Sequence, residues 1–176
     1  MVMPYRGESI DSILGQEFLT WLWYQSDNAP ETFTDSEGNP FSISMEQRIV
    51  VEGGVGETRE TATVSGTGSP LREARFGLGM GKKVSRALLR LEKDDLAFQV
   101  VLKAENFCLN SLTTPKLERS DDEDQEPDAL LLEKFYLLEM CVSLIDNLYA
   151  RFLKLRLSHN WEKEVYGMRQ WMIRTE

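Results

Sequence analysis

Apolar residues recur at helical spacing near the start of the chain. Ile10, Ile13, Leu14, Phe18, Trp21 and Leu22 fall on one face, and Leu19 and Trp23 widen it. The pattern predicts a helix entered at Ser9, whose hydroxyl suits an N-cap, with Asp11 in the first turn where negative charge favours the helix dipole. It ends near Gln25, before the turn-forming run Ser26-Asp27-Asn28-Ala29-Pro30, and residues 31–40 read as loop. The period then changes to two. Phe41, Ile43 and Met45 alternate with polar residues, which predicts a half-buried strand reaching Val51. A glycine turn at Gly53, Gly54 and Gly56 leads to a second, Thr- and Val-rich strand over 57–65. Ser69 and Pro70 open a short helix towards Leu78, as N-cap and first helical residue. Lys83 to Leu91 alternates as a strand, Asp94-Asp95 makes a turn, and Leu96, Phe98, Val100 and Leu102 form the return strand of a hairpin. Phe107, Leu109 and Leu112 start another strand.

The clearest signal comes last. Leu131, Phe135, Leu138, Val142, Ile145, Tyr149 and Phe152 step by four and three, with Leu137, Cys141, Leu144, Leu148 and Leu155 in a row beside them. A helix over 129–157 would be about 45 Å long at 1.5 Å per residue. Its apolar band is wider than a two-stranded seam, so it either packs on the sheet or offers a second face to a partner. Residues 161–173 of the tail, 158–176, form a further short helix. These elements predict an α+β fold in one domain over 1–176: an antiparallel sheet with an aromatic-rich N-terminal helix, a short helix and a long C-terminal helix. Residues 1–8 read as a loose leader.

Length and composition agree with a single folded unit. The chain has 176 residues, 41% hydrophobic and 28% charged, a globular balance that can support a core without metal or disulfide. No apolar run approaches a membrane span and the first residues lack a signal-peptide core, so neither a membrane partner nor export is expected. Cys108 and Cys141 make no zinc spacing, which points to a reducing cytoplasm.

Charge is distributed unevenly. The net charge is −9, but residues 118–128 (ERSDDEDQEPD) hold seven acids and one arginine, and read as a solvated, mobile loop dispensable for folding. Arg72, Arg75, Lys82, Lys83, Arg86 and Arg90 face only Glu73 over residues 72–90. Arg86 and Arg90 fall on one face of a strand, about 13 Å apart, a scale on which cations can follow phosphates. The alternative is a solvated face paired with local acids.

Other chemistry is sparse. Gly77-x-Gly79-x-Gly81-Lys82 is not a phosphate-binding P-loop and reads as a helix end, although its amides and lysines could touch a phosphodiester backbone. The acidic loop lacks the ligand spacing of a calcium site. His159 is the sole histidine, which excludes sites needing two and disfavours a Ser-His-Asp triad. Trp21 and Trp23 read as core. No catalytic residue, metal ligand or cofactor site stands out, so a non-enzymatic role is expected.

From Ser69 onward the chain resembles the recombination-associated protein RdgC family, in its C-terminal half. The residues that carry the resemblance are Leu71-Arg72-Glu73-Ala74, Gly81-Lys82-Lys83-Val84-Ser85-Arg86-Ala87-Leu88-Leu89-Arg90-Leu91, the return strand Phe98-Gln99-Val100-Val101-Leu102, and Glu133 to Leu138 through Ile145 to Leu148. Leu14-Gly15-Gln16-Glu17-Phe18-Leu19-Thr20-Trp21-Leu22-Trp23 is similar to short RdgC-like bacterial and phage proteins. The resemblance implies sequence-nonspecific binding of duplex DNA, modulation of recombination, ring-forming dimers and a nucleoid location. It makes Lys82, Lys83, Arg86 and Arg90 the DNA-facing candidates, with Arg72 and Arg75 nearby. The family's N-terminal half has no counterpart here, so a homodimer or a complex with a chain carrying that half is the expected assembly. The alternative is a protein-interaction module. Self-association, or association with another chain, is expected through the long helix or the aromatic N-terminal helix, which carry more apolar positions than one small sheet covers.

Overall fold

A computed structural model of the chain describes residues 10–54, 60–65, 69–116 and 127–174. Helix α1 spans Ile10–Asn28, and a single 3-10 turn, Pro30–Thr32, follows it. Strands β1 (Ser42–Gly53) and β2 (Glu60–Ser65) precede α2 (Ser69–Gly79). The hairpin β3 (Lys83–Lys93) and β4 (Leu96–Lys103) leads to β5 (Leu109–Thr113), then to α3 (Pro127–Arg156) and α4 (Trp161–Ile173). The five strands form one antiparallel sheet in the order β2-β1-β3-β4-β5. The fold is α+β, with the expected N-terminal and long C-terminal helices.

One sheet face is covered by helices. Ile43, Met45, Ile49 and Val51 of β1, Ala87, Leu89 and Leu91 of β3, and Phe98, Val100 and Leu102 of β4 are buried there. Against them lies α1, whose Phe18, Leu19, Trp21, Leu22 and Trp23 are all buried, as a helix apolar on most of its circumference must be. Close approach of α1 to the sheet is possible because Gly15 has no Cβ: one placed there would lie 2.0 Å from the Ala104 carbonyl oxygen. The helices α3 and α4 complete the layer. Trp21 Nε1 donates to Glu164 at 3.1 Å, Gln25 donates to the same carboxylate, and Trp171 Nε1 donates to Asp27 at 3.0 Å. The indoles of Trp21 and Trp171 thus satisfy their N–H groups. The C-terminal tail is therefore an integral part of the helix layer, with Met168 and Trp171 in the core.

Three details depart from simple alternation. Val84 and Ala87 are both buried, because β1 pairs Val50 with Arg86 but Val51 with Val84. Ser85 is the extra residue of this β-bulge; its hydroxyl donates to the Val50 carbonyl, and its own carbonyl accepts from Ala104. A second irregularity places two extra residues of β1 between Glu46 and Ile49. Phe107, expected at the start of a strand, instead precedes β5 with φ 54°, and its ring packs 4.5 Å from Tyr149 and 6.2 Å from Phe18. The leader and residues 118–126 of the acidic loop lie outside the described residues; Pro127 and Asp128 already belong to α3.

Candidate nucleic-acid interface

Among the described residues, no helix covers the second face of the sheet. Past the bulge at Ser85, β3 resumes strict alternation, so Arg86, Leu88 and Arg90 point outwards while Ala87, Leu89 and Leu91 point into the core. Register fixes their neighbours. Arg86 lies opposite Val50 of β1 and Lys103 of β4; Leu88 lies opposite Val101; Arg90 lies opposite Ser44 and Gln99. Lys83 pairs with Glu52 at the end of β3, and the exposed Thr61 and Thr63 extend the face across β2. Val50 is buried yet stands apart from the main core cluster, consistent with its place on this outer side.

Four cations, Lys83, Arg86, Arg90 and Lys103, share the face with Glu52 and Glu92, and the register sets a third acidic residue, Glu46, opposite Leu88. Arg90 is held by Glu92, Nη2 to Oε1 2.6 Å and Nε to Oε1 2.7 Å. Arg86 and Lys103 make no ion pair among the described residues. Like charges directly opposite on adjacent strands destabilise a sheet. This pair therefore carries a local cost that no ion pair among the described residues relieves, whereas Arg90 on the same face is paired with Glu92. An anion seated between the two side chains would relieve it.

The remaining cations lie elsewhere. Arg72 is exposed on α2. Arg75 turns to α4, where Nη2 donates to the Arg174 carbonyl at 2.8 Å and the guanidinium stands 5.7 Å from the Trp171 ring centre. The Lys82 stem runs beside Gly53 and Gly77, and its ammonium lies 3.6 Å from Glu60. Lys82 is thus on the α2 side of the sheet end, not on the open face. Of the six expected cations, the structure brings together Lys83, Arg86 and Arg90, and it adds Lys103. Sequence alternation did carry a signal for Lys103, because extending the return strand one residue past Leu102 places a lysine outward, opposite Arg86.

The glycine-rich turn is a helix terminus. Lys82 N donates to the Gly77 carbonyl and Gly81 N to that of Leu78, each at 3.0 Å, with Gly81 at φ 94°. This is the six-to-one and five-to-two bonding of a Schellman motif, which requires the left-handed residue that glycine supplies. Met80 N also donates inward, to Phe76 and Gly77. These amides are thus committed to carbonyls rather than presented to a phosphate.

Elsewhere, the loop after the 3-10 turn borders a cavity of about 390 Å3, lined by Asp35, Lys93, Tyr136 and Glu139 among others. Lys93 Nζ lies 2.6 Å from Asp35, which also accepts from the backbone amides of Glu37 and Asn39. The lysine hydrogen bond leads in holding the Asp35 carboxyl far below its ordinary range, and Asp35 in turn raises the Lys93 ammonium. Both groups are structural anchors for the loop. Burial pushes the Cys141 thiol up to about 11, so it is a poor nucleophile. Among the described residues no cluster of His, Cys, Asp and Glu could hold a metal, and no helix is long and apolar enough to cross a membrane.

No family model, curated protein or solved structure matches the chain.

Proposed function

We propose that this protein is a non-enzymatic binder of duplex DNA that grips the phosphate backbone with the open face of its sheet, without sequence preference. Its role is to modulate recombination, as the resemblance to the RdgC family implies. The observation that carries the reading is the unneutralised pair Arg86 and Lys103, facing each other across β3 and β4 in a chain of net charge −9. Phosphate contacts position a protein on a duplex but carry no sequence information. The face offers cations, serines and threonines for such contacts.

Fluorescence anisotropy of a labelled duplex at low salt tests this. Contacts from Lys83, Arg86, Arg90 and Lys103 should give a log–log salt slope near about −3.6, from about −0.9 per phosphate. The pair of changes Arg86→Ala and Lys103→Ala should flatten the slope by about 1.8 while leaving the circular dichroism spectrum unchanged. Absence of binding at low salt would defeat the proposal. A second reading, a protein-interaction module, is favoured by the exposed apolar side chains of the first half of α3, Leu131, Leu132, Phe135 and Tyr136.

A further inference from the structure

We propose that two copies of this chain pair side by side, in parallel and in register, through the N-terminal half of α3. This helix has two apolar faces. Leu137, Cys141, Leu144, Leu148 and Phe152 are buried against the body of the molecule. About a quarter turn away, Leu131, Phe135, Leu138 and Val142 step by four, three and four, the spacing of a two-helix seam. These four are 52%, 57%, 38% and 38% exposed. The row continues into Ile145 and Tyr149, and there the chain covers it itself, with the Tyr149 ring 4.5 Å from Phe107 and 5.2 Å from Phe18. The same stripe is thus core in one half of the helix and open in the other.

Charge selects the occupant and its direction. With Phe135 and Val142 at the a positions and Leu131 and Leu138 at d, Lys134 falls at g and Glu139 at e, on the two flanks of the seam. In a parallel pair each g residue meets the e residue five positions on in the other helix. Lys134 of one copy then faces Glu139 of the second, and the two-fold axis repeats the contact on the opposite flank. An antiparallel pair sets e beside e, leaving Glu139 against Leu132 and Lys134 without a carboxylate. Neither Lys134 nor Glu139 makes an ion pair among the described residues, so both are available. A buried a/d seam flanked by two such ion pairs fits a second copy of this chain in one register. The surface lies in the helix layer, away from the open sheet face, and does not depend on the nucleic-acid reading.

Sedimentation equilibrium of the full chain, without DNA, is the test. A dimer that dissociates on dilution is expected. Phe135→Glu combined with Val142→Glu should raise the dissociation constant at least about tenfold, with an unchanged circular dichroism spectrum because both positions are exposed in the single chain. Lys134→Glu and Glu139→Lys should each weaken the dimer, and the two together should restore it. A monomer at every concentration, a dimer indifferent to the Phe135 and Val142 changes, or a charge reversal that fails to restore pairing would each overturn the proposal.

Discussion

The two faces of the sheet are made from the same strands and differ in nearly every property. Along β3, Ala87, Leu89 and Leu91 are fully buried under α1, while Arg86, Leu88 and Arg90 look outward between them. The covered face is continuous hydrocarbon and holds the fold together. The open face has a small aliphatic centre, Leu88 against Val101, with cations around it. Stability is concentrated on one side of a layer one residue thick, which leaves the other side free to carry charge arrangements that folding alone would not select. Substitutions on the two sides should therefore differ in size and, at one position, in sign.

The largest effect is expected on the covered face. Phe98 is fully buried at the centre of β4, and Phe98→Ala should cost about 3–5 kcal/mol through lost transfer energy and a residual cavity. Leu88→Ala, on the adjoining strand but half-exposed, should cost under about 1 kcal/mol. Urea denaturation of both variants measures the contrast; similar losses would mean that the open face is covered in solution. Next comes Gly15→Ala. Alanine gains about 1 kcal/mol over glycine in a helix, but here its Cβ would press into the Ala104 carbonyl oxygen, a backbone atom that cannot swing aside. Overpacking costs about 1–3 kcal/mol, so the net effect should be a loss, read as a lowered thermal midpoint. A gain would show that α1 can lift from the sheet without penalty.

Much of this division was legible in the sequence. The alternation of Phe98, Val100 and Leu102 and the helical spacing of Phe18, Trp21 and Leu22 identify the covered face, because burial imposes periods of two and 3.6. The α4 tail showed mixed aromatics and charges but not its role, since Trp171 is fixed by a hydrogen bond to Asp27, distant in sequence. Local pattern also could not reveal the Ser85 bulge, which exists only in relation to Val50 and Val51 on another strand. The cation cluster was half legible for the same reason. Arg86 and Arg90 share a strand and declare their common face, whereas Lys103 joins them only through the hairpin register. Lys82 and Lys83, adjacent in sequence, part company because successive residues leave the helix terminus in opposite directions.

A smaller effect concerns the link between the loop after the 3-10 turn and the sheet. Asp35 has its carboxyl depressed by Lys93 and by backbone amides, so its contribution to stability is present above the ordinary aspartate value, about 3.9. That contribution is lost as pH falls through the folded value. The Lys93 ammonium is raised, so its share is present below the ordinary lysine value, about 10.4, and is lost as pH rises through the folded one. Asp35→Asn should therefore destabilise the protein most at neutral pH, with the gap to the wild type narrowing towards strong acid and strong base. Thermal melts across pH measure this, and a gap independent of pH would show that the ion pair contributes nothing.

The smallest effect should have the opposite sign. Lys103→Thr removes one member of the cation pair and leaves a residue that suits a strand. Relief of repulsion across β3 and β4 should stabilise the fold by a few tenths of a kcal/mol, since cross-strand pair terms are about 0.2–1 kcal/mol. The gain should fade at high salt, where exposed charges are screened. In the same protein, duplex binding should weaken and the salt slope should flatten by about 0.9, one phosphate contact. A side chain kept for packing would lose stability when truncated, and one kept for solubility would leave binding unchanged. Only a cation held for an anionic partner gives more stability and less binding together. Urea midpoints and anisotropy titrations on this one variant therefore separate the three: a stability loss would return Lys103 to the structural side of the molecule, and an unchanged salt slope would remove it from the proposed interface.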